Sequence, residues 1–136
     1  MLAFLDTNLL VYCTDATAPA KQERARALVS RLSAAGEAVV STQVLIELFH
    51  TLMRKQKMAP VAAQVLTLAF TAWPVIDSDL ALVGAAIERS ITHQLSIWDA
   101  MVVEAALRAD ARTLYSEDLS HGRRFDTVTV VNPFLA

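Results

Sequence analysis

At 136 residues, with 54% apolar and 19% charged side chains and a formal net charge of −2, the chain has the makeup of one folded domain spanning 1–136 with a sizeable core, which excludes a disordered segment. Its single cysteine, Cys13, excludes an internal disulfide and a cysteine-based zinc site. No basic leader precedes the short apolar run that Asp6 interrupts, so the expected setting is reducing and cytoplasmic.

The run Leu2–Leu5 reads as a buried strand that delivers Asp6, Thr7 and Asn8 to its own tip, followed by a short helix to about Cys13 and a loop over Thr14–Ala18. Pro19 suits the first turn of a helix reaching about Ala35, with Leu28, Val29 and Leu32 on one face and Gly36 as its stop. A strand at Ala38–Val40 leads to Ser41 and Thr42, which can cap a helix from Gln43 to about Lys57. Met58 to Ile76 carries no charge, but Pro60 and Pro74 near its ends leave a helix of roughly Val61–Trp73. A bilayer span needs ~20 residues, so this is an apolar helix, buried or at an interface, and no membrane segment. A strand at Pro74–Ile76, a helix to about His93, a helix over Ile97–Ala109 capped by Ser96, and strands at Thr113–Tyr115 and Thr127–Val131 complete the chain. Such alternation predicts an α/β fold with a central parallel sheet of four to five strands and helices on both faces.

The acids fall where those strands end. Asp6 follows the first strand, Glu47 lies two turns into the helix after the second, Asp99 opens the helix before the fourth, and Glu117 and Asp118 lie just beyond the fourth. In a parallel sheet these positions share one edge, so the acids can converge. Asp6 is also a good helix cap, and that reading alone explains it equally well. Glu47 is harder to dismiss, because Val44, Leu45, Ile46, Leu48 and Phe49 surround it and charges are rarely buried unpaired. Gathered carboxylates without His or Cys form the ligand set of a hard cation such as Mg²⁺ or Mn²⁺.

The segments Phe4-Leu5-Asp6-Thr7-Asn8, the mid-helix Glu47, Ser96-Ile97-Trp98-Asp99-Ala100 and Leu114-Tyr115-Ser116-Glu117-Asp118-Leu119 together resemble the PIN domain, in particular the VapC-type toxins of bacterial toxin–antitoxin pairs. The resemblance spans nearly the whole chain, to Val130-Val131-Asn132-Pro133-Phe134. It implies a metal-dependent endoribonuclease with Asp6, Glu47, Asp99 and Asp118 as metal-binding, catalytic acids. Thr7, Asn8 and Ser116 match polar supporting positions, and Glu117 is a candidate to share the role of Asp118. Some members carry a further acid where this chain has Ser120, which weakens the case for a second metal. The resemblance also implies a homodimer and a small cognate antitoxin, and a mean hydropathy of +0.40 fits apolar surface kept for such partners.

An RNA path needs local cations that the net charge does not supply. Arg54 lies seven residues after Glu47, on the same helical face, with Lys55 and Lys57 beside it; Arg123 and Arg124 follow Asp118 in a glycine-containing loop with His121. Two rivals use the same acids. A phosphotransfer domain would want a second acid two residues after Asp6, where this chain has Asn8. A catalytically silent binding module would keep the fold and lose the cutting.

Overall fold

The computed structural model describes residues 1–135. Six strands form one sheet in the order β3-β2-β1-β4-β6-β5: β1 (Ala3–Leu5), β2 (Ala38–Ser41), β3 (Val75–Ile76), β4 (Thr113–Tyr115), β5 (Arg124–Phe125) and β6 (Val128–Val131). Every pairing is parallel except that of β5 with β6. The helices are α1 (Thr7–Tyr12), α2 (Pro19–Ala34), α3 (Thr42–Arg54), α4 (Pro60–Ala69, prolonged by a 3₁₀ turn over Phe70–Ala72), α5 (Leu80–His93) and α6 (Ile97–Arg108).

The central strands β1 and β2 are apolar on both faces because helices cover both sides, and every residue of each is buried. Phe4, Leu5, Val39, Val40 and Leu114 from the sheet meet Leu9, Leu10, Leu32, Leu48, Leu52 and Val103 from the helices in one continuous core. Helix starts follow the residues that the sequence supplies for them. Ser41, Asp79 and Ser96 cap α3, α5 and α6 by accepting from the backbone N–H groups of Val44, Leu82 and Asp99.

The expected parallel α/β architecture is present, with one strand more than expected. β5 is only two residues long and joins β6 through a tight turn in which Asp126 takes a positive φ of 51°. That turn lacks the glycine that usually announces a hairpin, so 124–125 read as loop. Arg124 is therefore an exposed edge-strand residue, and the Arg123 guanidinium lies 4.6 Å from the centre of the Phe125 ring. A charged edge strand discourages unwanted pairing with another sheet.

Two helices are shorter than their patterns implied. α3 ends at Arg54 because Lys57 turns into the left-handed region, φ 55°, and α4 gives way to the 3₁₀ turn at Phe70. Among the described residues, no helix is long and apolar enough to cross a membrane.

Candidate active site

Asp6, Glu47, Asp99 and Asp118, contributed by four separate elements, line a single recess of about 290 Å³ together with Gln43, Ser96, Trp98 and Val102. The parallel strands β1 and β4 lie side by side, which puts Asp6 at one tip next to the Ser116–Asp118 segment at the other. The long connections through α2 and α5 return α3 and α6 so that Glu47 and Asp99 meet them at that edge.

Asp6 has two roles at once. Its Oδ1 accepts from the Thr7 backbone N–H at 2.8 Å, starting α1, while its Oδ2 accepts from the Ser116 hydroxyl at 2.7 Å. Ser116 in turn accepts from the N–H groups of Asp118 (3.1 Å) and Leu119 (3.4 Å), so one buried hydroxyl fixes the turn that carries Asp118. Asn8 completes the link: its side-chain amide donates to Asp118 Oδ2 at 3.1 Å, and its carbonyl accepts from the Glu117 N–H at 3.3 Å.

The electrostatics show carboxylates that are short of water. Burial pushes Asp6 from 3.8 to about 7, against the pull of its hydrogen bonds from Ser116 and Thr7, and the charges of Asp118 and Glu47 add to the rise. Glu47 is raised chiefly by burial and also by Asp118 and Asp99, with the Gln43 hydrogen bond acting the other way. Asp99 is raised by burial and by Asp118, against the Ser96 hydroxyl. Asp6, Glu47 and Asp99 are thus pushed towards their neutral forms by their surroundings, and a bound cation would reverse that push.

Among the described residues, no three Asp, Glu, His or Cys side chains stand close enough to ligate one ion as they are. The four acids line a recess and do not meet at a point. An all-oxygen set spread around such a space fits a hydrated hard cation, since Mg²⁺ keeps several of its waters and takes only one or two carboxylates directly.

Glu117 does not join this group. Its carboxylate accepts from the Tyr12 hydroxyl at 2.7 Å and is ion-paired with Lys21. Burial alone would raise it, but the hydrogen bonds from Lys21 and Tyr12 prevail and hold it below its ordinary value. Asp118, not Glu117, faces the other acids. Of the basic residues, Lys55 lines a second recess bounded by Glu47 and Asp118, whereas Arg54, Arg123 and Arg124 line neither recess. Trp98 is 63% exposed at the acid recess and so is no core residue.

The sequence reading missed Gln43. It is 7% exposed, and its amide nitrogen donates to Glu47 Oε1 at 2.6 Å and to the Trp98 carbonyl at 3.2 Å, tying α3 to the first turn of α6 beside Asp99. Its own carbonyl oxygen is buried without a partner. The available signal was its place one turn before Glu47 on the same helical face. Gln43→Met, which keeps the length and removes both donors, is expected to change the melting temperature of the metal-free protein little, because Glu47 loses a donor while a buried carbonyl oxygen without a partner is removed as well. The same substitution is expected to weaken Mn²⁺ binding by ~10–100-fold, the usual cost of losing a group that orients a ligand. Titration calorimetry beside thermal melts measures both.

A family model described as PIN domain matches residues 3–125. The chain belongs to the PIN-domain family. Among solved structures, this PIN domain resembles the Mycobacterium tuberculosis VapC20, described as a Sarcin-Ricin loop cleaving toxin. The TM-score is 0.65 and the identity 22%, over 85% of this chain and 89% of that one. It likewise resembles VapBC2 from Rickettsia felis, solved bound to a DNA fragment from their promoter, with a TM-score of 0.65 and 18% identity over 96% and 97% of the two chains. At these identities the likeness is one of fold. No curated protein matches the chain by sequence.

Proposed function

We propose that this PIN domain is a divalent-metal-dependent endoribonuclease of the VapC toxin type. The observation that carries the reading is the meeting of four acids around one recess: Asp6, buried at the end of β1, Glu47 of α3 and Asp99 of α6, both half-buried, and the exposed Asp118 after β4. Nothing in that recess offers a nucleophile with its base: its lining contains one serine, Ser96, and no histidine, lysine or cysteine. A bound Mg²⁺ or Mn²⁺ would supply the Lewis acidity and the activated water for phosphodiester hydrolysis.

The chain's own part is to hold the acids. Asp6 and Asp99 are the principal ligands, and Glu47 and Asp118 complete the set. Ser116 and Thr7 fix Asp6, Asn8 fixes Asp118, and Gln43 fixes Glu47. Glu117 acts on the structure of the turn through Lys21 and Tyr12. The basic residues Arg54, Lys55, Arg123 and Arg124 are the candidates to meet RNA.

The partners follow from the same family reading. A cognate antitoxin and a second copy of the chain would cover exposed apolar surface on α4, and the VapBC2 relative supports a toxin held in a complex. Incubation of the purified protein with total RNA tests the activity. Cleavage is expected with Mg²⁺ or Mn²⁺, to stop with EDTA, to stop in Asp99→Asn and to persist in Glu117→Gln. Cutting that continues undiminished in excess EDTA overturns the metal reading.

A further inference from the structure

The acid recess opens into a longer track. A second recess of about 370 Å³ shares Glu47 and Asp118 with it as walls and is lined also by Thr7, Tyr12 and Thr51. A third, of about 420 Å³, lies between the loop after α1 and the end of α3, lined by Thr14, Thr17 and Gln56. Three residues, Val11, Asp15 and Lys55, line both the second and the third. Going outward from the acids, Lys55 therefore stands at the partition between two consecutive spaces.

We propose that this track holds one single RNA strand on one side of the cut, a nucleotide in each outer recess, with the Lys55 ammonium on the phosphate between them. The proposal rests on the nuclease reading and adds the direction in which the substrate runs. Each outer recess falls in the lower part of the ~300–1,000 Å³ range of small-molecule sites, room for one nucleotide and not for a duplex.

Several features of the walls fit that occupant. Lys55 is exposed and has no ion-pair partner among the described residues, so its charge is free for a phosphate. Glu117, also on the wall, is neutralised by Lys21, which removes one repulsion. Thr7 also lines the second recess, although its hydroxyl is itself buried. Val11 offers apolar contact to a base on either side.

The other basic pair lies elsewhere. Arg123 is packed on Phe125, and Arg124 is on β5, the edge strand two places from β4. Neither lines the acid recess or the two recesses beyond it.

The test is binding of short, labelled single-stranded RNA of mixed sequence by fluorescence anisotropy, with Ca²⁺ replacing Mg²⁺, over a series of salt concentrations. Lys55→Met is expected to weaken binding by about 5- to 10-fold at low salt and to lower the slope of log affinity against log salt by about 0.7, the value for one phosphate contact on a single strand. Lys55→Arg should restore both. Arg112→Met, just before β4 at the opposite end of the sheet from the acids, should alter neither. A Lys55→Met protein that binds like wild type overturns the proposal, as does a loss found in Arg123→Met or Arg124→Met instead. In those cases a wild type that still cuts total RNA in Mg²⁺ leaves the nuclease reading standing. A wild type that neither binds nor cuts RNA removes both.

Discussion

Asp6→Asn is expected to raise the melting temperature of the metal-free protein at about pH 8 by several degrees, and to end RNA cleavage. Asp6 is 5% exposed, and burial shifts its carboxyl from 3.8 to about 7. The folded chain thus binds this proton more tightly than the unfolded chain does. The associated stability is fully present below about pH 4, declines as the pH rises, and is lost once the pH passes about 7. A shift of that size corresponds to at most about 4 kcal/mol. Asn keeps an oxygen for the Thr7 N–H and carries no charge to desolvate, so its advantage should be small in acid and grow towards alkaline pH.

Saturating Mg²⁺ should reverse the order, because on the proposed reading the wild type has one more carboxylate for the ion and binds it more tightly, and a ligand bound to the folded state alone stabilises that state. Activity should fall by more than the ~10–100-fold that loss of an outer supporting group costs. Melts of both proteins in EDTA across the pH range decide the matter. An Asn variant that melts below wild type at alkaline pH would show that Asp6 is not held against its own charge.

That Asp6 both caps α1 and lines the acid recess explains how far the sequence alone could reach. The stretch Leu2–Leu5 followed by Asp6 announced a buried strand with an acid at its tip, because strand-forming side chains and a helix cap are local signals. The order of the strands made the tips of β1 and β4 adjacent, and the acids at known distances along the chain then had one edge to share. The roles of neighbours were not legible in the same way. Glu117 and Asp118 are consecutive, and only the approach of Lys21 and Tyr12 from α2 and α1 shows which of the two turns away. Gln43 carries no charge and forms no motif, so its bridge between Glu47 and Trp98 depends on the first turn of α6 coming up to the start of α3. The two-residue β5 owes its existence to its pairing with β6, not to its own composition.

The helix α4 presents the second large expected effect. Val61, Val65 and Leu68 are 70%, 67% and 52% exposed, and their spacing puts them on one stripe. The opposite face buries Ala63 and Thr67, with Leu66 and Phe70 packed on the core, so the fold itself does not need the stripe. Apolar side chains left outside in a row mark a surface that another chain covers. Phe49 of α3, by contrast, packs against the core, and changing it would disturb the fold. Leu68→Glu and Val65→Glu are therefore the informative variants. Each is expected to leave the melting temperature of the separated chain nearly unchanged, because the side chain already faces water. Each should raise the dissociation constant of the homodimer, or of the complex with a co-expressed neighbouring antitoxin, by about 30-fold, as loss of a central interface residue does. Analytical ultracentrifugation and co-purification read the two assemblies separately. If a charge at position 65 or 68 changes neither, or if the wild-type chain remains monomeric at high concentration and is harmless when expressed alone, the stripe is ordinary surface and the toxin reading loses its partner.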